Sequence, residues 1–295
     1  MTRDPVRDMV PALPTSFRRF GPPDPVSPVV VSVPHAGRDY PPAMLSLLTV
    51  PAALLTALED RHVDAVALGA HGGETMLVAM RARGWIDLNR SPLRDRDPQV
   101  DAGAEPRIAG LSPSDKVRSG IGLIPRRGGG AENMWRRKLT DAEVAERITH
   151  DHAPYHAALA AALAAAHARF GIAILLDLHS MPPLVGLAPA RIVLGDRYGR
   201  TAPGRMTDMV ASVVRDLGLP LAMNHPYAGG YILSEHARPR ANVHALQLEI
   251  DRSLYLDEAL DLPGAGLDDT IALVRMVIDR LTDFALDATR RIAAE

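Results

Sequence analysis

Short apolar runs rich in β-branched residues alternate with helical segments along this 295-residue chain. Such runs predict buried strands. The predicted strands are Val29–Val33, Met76–Met80, Trp85–Leu88, Ile172–Leu178, Arg191–Leu194 and Val243–Ile250. The predicted helices cover residues 51–68, 140–170, 204–217 and 267–293. This alternation predicts a single α/β domain, in which a mixed, mostly parallel sheet is flanked by helices on both faces.

The helix that is predicted to begin after Thr140 has the clearest end signals. Thr140 and Glu143 have the spacing of a capping box, and Gly171 follows the last predicted helical residue. The chain begins differently, because residues 1–28 are rich in proline and show no helical period. We therefore expect an extended lead-in over 1–28 and the folded domain over 29–295.

Composition narrows the classes of function. The net charge is −2, which removes the electrostatic case for nucleic acid or an anionic membrane as the main partner. Cysteine is absent, which excludes disulfides, thiol nucleophiles and cysteine-bearing metal sites, so any metal needs histidine and carboxylate ligands. No apolar run has membrane-spanning length and the N-terminus has no apolar signal core, which predicts a cytoplasmic protein.

Two histidines follow separate predicted strands. His35 follows the first strand, and His179 follows the strand at 172–178. In open α/β sheets, ligands bind beyond the carboxyl ends of the strands. Either histidine alone is more often structural, but the pair, with a carboxylate cluster between them, favours a catalytic zinc held by three nitrogen or oxygen ligands. Asp60 and Asp64 lie one helical turn apart in a predicted helix, so either could be the third ligand.

A second histidine pair offers an alternative metal site. His152 and His156 have the i, i+4 spacing of zinc ligands on a helix. The catalytic helix of zinc proteases has a glutamate directly after its first histidine, whereas Ala153 stands at that position here. This pair therefore ranks second.

Three other residues suit catalysis or binding. Glu249 lies in an apolar strand, where a carboxylate is costly to bury unless it is paired or used, and it would suit a general base. Arg90 offers a planar fork that fits a carboxylate, although an ion pair with Asp87 or Asp95 is the simpler interpretation. Tyr231 lies in a glycine-rich turn, which is a weak signal by itself.

Eight short segments, taken together and in chain order, resemble the N-formylglutamate amidohydrolase family. They are SVPHAG at 32–37, DRHVD at 60–64, DLNR at 87–90, GIGLIP at 120–125, PYH at 154–156, DLHS at 177–180, NHPYAGGY at 224–231 and LEIDR at 248–252. Each segment alone is a weak signal, but the eight together span most of the chain.

The resemblance implies a zinc carboxypeptidase/phosphorylase-hydrolase-like fold. It also implies metal-dependent hydrolysis of N-formyl-L-glutamate or a related N-acyl amino acid, and a role in histidine degradation. By motif position, His35 and His179 would hold Zn²⁺, and Asn89 and Arg90 would bind the substrate carboxylate. Glu249 would be the catalytic base.

The third metal ligand departs from the carboxypeptidase pattern. Carboxypeptidases have an acidic ligand three residues after the first histidine, where this chain has Arg38. The ligand must therefore come from elsewhere, and we expect Asp60, with Asp64 or His62 as alternatives.

The sequence thus predicts a metallohydrolase that binds one divalent metal and cleaves an amide bond in a small, carboxylate-bearing N-acyl substrate. Arg126 or Arg238 is expected to bind a side-chain carboxylate, and Tyr231 is a further candidate contact. One rival is a zinc carboxypeptidase or an aspartoacylase-like deacylase on the same scaffold. Another is a non-catalytic relative that only binds metal or ligand, against which both strand-end histidines and the strand glutamate argue.

Overall fold

The computed structural model describes residues 16–104 and 113–293. In that part of the chain, seven strands form one sheet with the order β1-β3-β2-β4-β7-β5-β6. The strands are Phe17–Phe20 (β1), Val29–Val33 (β2), Thr75–Ala79 (β3), Ala173–Met181 (β4), Ile192–Gly195 (β5), Leu221–Met223 (β6) and Val243–Asp251 (β7). The four central strands β3, β2, β4 and β7 are parallel, whereas β1 and β5 run antiparallel to their inner neighbours. The predicted mixed, mostly parallel sheet is confirmed.

Helices pack on both faces of this sheet. Val63–Ala70, Gly204–Asp216 and Leu267–Ala293 cover one face, and Ala153–Phe170 and Tyr231–His236 cover the other. Shorter helices are Pro42–Leu45, Asp115–Arg118 and Asp141–Arg147, with 3₁₀ turns at Ala52–Leu58, Pro239–Ala241 and Arg252–Leu254. None of the helices within the described ranges is long and apolar enough to cross a membrane.

Strand β2 shows why its sequence is apolar without alternation. Val29, Val31 and Val33 pack into the core on one face of the sheet, while Val30 packs into the core on the other. All four side chains are fully buried. A strand covered on both faces needs apolar residues at consecutive positions, so the run of valines reflects the two layers of helices.

Two predicted elements are wrong. Trp85–Leu88 forms a turn rather than a strand, in which Trp85 N–H donates to Ala82 O at 2.8 Å and Asp87 N–H donates to Leu123 O at 2.8 Å. Ile86 and Leu88 are nevertheless buried. A short apolar run records burial, and burial alone does not distinguish a strand from a packed turn.

The helix predicted over 51–68 is interrupted. The 3₁₀ turn ends at Leu58 and a separate α-helix begins at Val63, after His62 in the left-handed conformation with φ 55°. Asp60 and Asp64 therefore do not share a helix face, contrary to expectation. Asp64 instead pairs with Arg38 at 2.6 Å.

The helix predicted over 140–170 has the expected ends. Thr140 and Glu143 form the capping box, and Gly171 ends the helix with φ 72°. A π-helical turn at Ile148–His152 interrupts it between its two α-helical parts.

Apart from shifts of one residue at strand ends, three strands differ from the prediction in extent or existence. Strand β1 pairs with β3 and lies within the segment expected as an extended lead-in. Strand β6 was not predicted. Strand β4 continues to Met181, so His179 and Ser180 lie inside the strand rather than after it. Residues 1–15 of the lead-in lie outside the described part of the chain.

We expect Gly37→Ala to destabilise the fold. A Cβ at Gly37 would lie 2.0 Å from the backbone oxygen of Arg81, whereas a Cβ at Gly204, which begins a helix, meets nothing within 4 Å. Overpacking of this kind costs about 1–3 kcal/mol, while alanine in a helix is favoured over glycine by up to about 1 kcal/mol. Urea unfolding should show a lower free energy of unfolding for Gly37→Ala than for the wild type, and no decrease for the control Gly204→Ala. Equal stability of both variants would contradict this close approach.

Candidate metal centre

A polar cleft lies at the carboxyl ends of β2, β4 and β7. It has a volume of about 480 Å³. Side chains that line it include His35, Asp60, His179, Glu249, Asn89, Arg83, Arg90, Lys116 and Arg252. Most of the residues singled out from the sequence therefore meet in one place.

His35, Asp60 and His179 bring their ligand atoms together in this cleft. One ligand atom from each of the three side chains lies within 4.8 Å of the others. The Oδ2 atom of Asp60 is 3.0 Å from Nδ1 of His179 and 3.7 Å from Nδ1 of His35. All three residues are buried. Two imidazole nitrogens and one carboxylate oxygen form a donor set that suits a mononuclear zinc site with an open fourth position.

The other ring nitrogen of each histidine faces a buried carboxylate. His35 Nε2 lies 2.7 Å from Asp87 Oδ1, and His179 Nε2 lies 2.9 Å from Asp177 Oδ2. Although burial opposes ionisation, Asp177 and Asp60 hold the pKa of His179 well above its usual range in the metal-free protein. A metal ion would replace the proton on Nδ1, the atom turned toward Asp60, while Nε2 continues to donate to its carboxylate. The arrangement therefore suits both imidazoles as metal ligands.

The sequence analysis missed the roles of Asp87 and Asp177. Both lie within segments that carried the family resemblance, and both are fully buried. A carboxylate within an apolar run was the available signal, since such a group needs a partner to be buried.

Several contacts fix the carboxylate of Asp60. The backbone N–H of Ser180 donates to Asp60 Oδ2 at 3.2 Å, and Arg252 NH2 lies 3.5 Å from Asp60 Oδ1. Arg252 is itself held, since it donates to Glu59 O and, at 3.2 Å, to Ser180 Oγ. Although burial opposes ionisation, the hydrogen bond from His179 and the nearby imidazole of His35 hold the pKa of Asp60 well below its usual range. Asp60 is therefore an oriented anion.

Glu249 lies beside this cluster because of strand register. In the parallel pairing of β4 with β7, Glu249 stands directly opposite His179. Its Oε1 accepts a hydrogen bond from Gln247 Nε2 at 2.8 Å. Burial is the main cause that raises the pKa of Glu249 to about 7. The positive charge of His179 lowers this pKa, and the negative charge of Asp60 raises it. A carboxyl group with a pKa near neutrality suits proton transfer.

Asn89 and Arg90 reach the cleft from the turn after Asp87. Asn89 Oδ1 accepts from the backbone N–H of Ile232 at 2.8 Å. Arg90 donates from Nε to Ile121 O and from NH1 to Asn89 O, both at 2.8 Å. Its NH2 lies 3.7 Å from Asp87 Oδ2. The guanidinium is thus held in place by backbone oxygens, while one of its nitrogens has only a distant partner.

The alternative pair His152 and His156 lies behind this turn. His152 Nε2 is 2.9 Å from Arg90 O, and His156 Nε2 is 2.9 Å from Leu88 O. A carbonyl oxygen can only accept, so both imidazoles donate, and their rings stack with centroids 4.4 Å apart. The two histidines therefore buttress the turn that presents Asn89 and Arg90.

Arg126, Arg238 and Tyr231 are not brought to the cleft as the described residues define it. Arg126 donates to Glu132 O at 2.8 Å. Arg238 is exposed and donates to backbone oxygens of its own segment. Tyr231 packs against the rings of the two stacked histidines.

Arg83 and Lys116 do line the cleft, although the sequence analysis did not single them out. Arg83 donates from Nε to Asp87 Oδ2 at 2.8 Å. Arg83 lies in a turn and Lys116 lies in a four-residue helix, so neither had a sequence signal that would place it at the end of a strand.

The fold and this cleft have the features of an α/β protein with a candidate metal-dependent active site. A buried cluster of histidines and carboxylates lies where ligands bind in such sheets. The sequence profile of the N-formylglutamate amidohydrolase family matches residues 27–256, and the chain belongs to this family. As a member of an amidohydrolase family, the protein is an enzyme of the hydrolase class.

Similar proteins support the assignment to this family. An N-formylglutamate deformylase from Pseudomonas aeruginosa is 31% identical over 88% of this chain and 92% of its own length. One from Pseudomonas putida is 28% identical over 78% of this chain and 82% of its own. The crystal structure of an N-formylglutamate amidohydrolase from Ralstonia eutropha JMP134 has a TM-score of 0.83 at 33% identity, covering 93% of this chain and 99% of that one. The gene product Atu2144 from Agrobacterium tumefaciens, with a TM-score of 0.60 at 17% identity, shares the fold.

We expect Glu249→Gln to stabilise the metal-free protein at alkaline pH. The unfolded chain loses the Glu249 proton near pH 4.5, whereas the folded protein keeps it up to about pH 7. The contribution of Glu249 to the free energy of unfolding of the wild type therefore falls as pH rises from 4.5 to about 7. Urea unfolding after chelation should give the variant an advantage of roughly 1–3 kcal/mol at pH 8 that shrinks at pH 4.5. The same difference at both pH values would contradict the raised pKa.

Proposed function

We propose that this protein is a metal-dependent amidohydrolase that removes the formyl group from N-formyl-L-glutamate or a closely related N-acyl amino acid. The observation that carries the proposal is the convergence of His35, Asp60 and His179 beside Glu249. Three ligands of the right chemistry, next to a carboxyl group with a near-neutral pKa, are the elements of metal-assisted hydrolysis. The names of the relatives from both Pseudomonas species support the substrate class.

His35, Asp60 and His179 would hold one divalent metal, for which Zn²⁺ fits the donor set. When bound, such a metal polarises the amide carbonyl and lowers the pKa of water from about 15.7 toward about 7. Asp87 and Asp177 keep the two imidazoles in the tautomer that ligation needs.

Glu249 would act as general base and then as general acid. Its carboxylate accepts a proton from the attacking water, and the same proton is then delivered to the leaving amine nitrogen. Water and the N-formyl amino acid thereby give formate and the free amino acid. Gln247 orients Oε1 of Glu249, which leaves Oε2 for the water.

Asn89 and Arg90 would bind the α-carboxylate of the substrate. The backbone oxygens that hold Arg90 Nε and NH1 fix its guanidinium before substrate arrives. A pre-positioned guanidinium can bind a carboxylate without losing side-chain freedom at that moment, and so it places the amide against the metal centre.

Metal content tests the ligand set. His35→Ala and His179→Ala should each lose most of the metal because each removes one of three ligands. His152→Ala is the matched control, since its imidazole bonds to Arg90 O outside the cluster. After dialysis, elemental analysis should find near one equivalent in the wild type and the control, and far less in the other two. Loss of metal from His152→Ala alone would contradict the assignment.

Activity tests the reaction. The wild type should hydrolyse N-formyl-L-glutamate, and Glu249→Gln should lose about 10²–10⁴-fold in kcat while keeping its metal. Wild-type kcat/KM should fall as pH falls below the Glu249 pKa, because a protonated base cannot accept a proton. Faster cleavage of N-acetyl than of N-formyl substrates would indicate an aspartoacylase-like deacylase. A metal-loaded protein that cleaves no N-acyl amino acid would refute the proposed function.

A further inference from the structure

Four cationic side chains line the cleft, and two of them are already engaged by the protein. Arg252 donates to Glu59 O and Ser180 Oγ and lies close to Asp60. Two of the three guanidinium nitrogens of Arg90 donate to backbone oxygens. These contacts hold Arg252 and Arg90 in place, whereas Arg83 and Lys116 keep nitrogens that could donate to a ligand.

The side-chain amine of Lys116 forms no hydrogen bond or ion pair with any residue in the described ranges. It lines the cleft from the short helix Asp115–Arg118. The adjacent Asp115 pairs with Arg118 rather than with Lys116. Arg83 binds Asp87 through Nε only, so its terminal nitrogens have no partner within the described ranges either. The cleft therefore contains cationic nitrogens that have no hydrogen-bond partner within the described part of the chain.

These donors lie close enough to repel one another. Partial desolvation at the cleft lowers the pKa of Lys116, and the positive charges of Arg90 and Arg83 lower it further, although Asp87 and Glu249 oppose the shift. Asp87 offsets only part of the repulsion among these cations, and a bound anion would offset more of it. The corner formed by Arg83, Arg90 and Lys116, here named the cationic corner, is thus suited to more than one negative charge.

The proposed substrate carries two carboxylates, and Asn89 and Arg90 account for one of them. Arg126 and Arg238, which the sequence suggested for the other, do not reach the cleft. We propose that Lys116 is a specificity-determining residue that binds the side-chain carboxylate of an acidic N-formyl amino acid, with Arg83 completing the cationic corner. This inference rests on the proposed function and names the group that selects its substrate.

The test compares two substrates that differ in one charge. N-formyl-L-glutamate and N-formyl-L-glutamine have nearly the same shape, but the glutamine side chain is neutral. Lys116→Met removes the ammonium and keeps a chain of similar length, while Lys116→Arg keeps the charge. The chain offers a matched control in Lys138→Met, since Lys138 is its only other lysine and is exposed away from the cleft.

For Lys116→Met we expect kcat/KM on N-formyl-L-glutamate to fall roughly 10- to 100-fold, mostly through KM. Activity on N-formyl-L-glutamine should change little, so the preference for the acidic substrate shrinks. Lys116→Arg should retain most of the preference, and Lys138→Met should behave as the wild type.

Two results would overturn the inference alone while leaving the proposed function intact. One is an unchanged substrate preference in Lys116→Met, and the other is an equal loss on both substrates, which would indicate a structural role or contact with the α-carboxylate. A metal-loaded wild type that hydrolyses neither substrate would refute the proposed function, and the inference would fall with it.

Discussion

The Oδ2 atom of Asp60 is the point on which the site depends. It faces Nδ1 of both His35 and His179 and accepts from the backbone of Ser180. A buried carboxylate is costly unless such partners surround it. To deliver this oxygen, the chain must leave the 3₁₀ turn at Leu58 and pass through His62 in a left-handed conformation before the next helix begins. The break in the helix is therefore a requirement of the site.

Charge pairing explains why one buried carboxylate differs from the others. Asp87 lies among Arg83, Arg90 and His35, whose charges hold its pKa well below the usual range despite burial. Among the described residues, Glu249 has only the neutral Gln247 as a side-chain hydrogen-bond partner, and burial raises its pKa to about 7. In one small cleft, partners thus keep one carboxylate permanently charged and leave another able to exchange a proton.

The sequence predicted the parts of this site that depend on local pattern. The apolar runs located β2, β4 and β7, and the polar residues at or near their carboxyl ends included His35, His179 and Glu249. It could not predict the turn at Trp85–Leu88, because burial there comes from packing against distant loops. Nor could it distinguish Lys116 from Arg126, since the choice depends on how a long loop folds over the cleft. Local periodicity encodes which residues are buried, whereas the partners of charged side chains are set by tertiary contacts.

The two sides of the cleft are built by different means. Parallel pairing of β4 with β7 places His179 opposite Glu249, so one candidate metal ligand and the candidate base share the same sheet. Asn89 and Arg90 come instead from a turn without strand pairing, and a turn needs other support. His152 and His156 provide it by donating to the carbonyls of Arg90 and Leu88. His236 lies 2.9 Å from His156 Nδ1, which must accept because Nε2 already donates, so the direction of each hydrogen bond in the stack is fixed. The π-helical turn Ile148–His152 ends at one of these supporting histidines. The irregular part of the helix therefore carries a side chain that holds the irregular turn at Asn89 and Arg90.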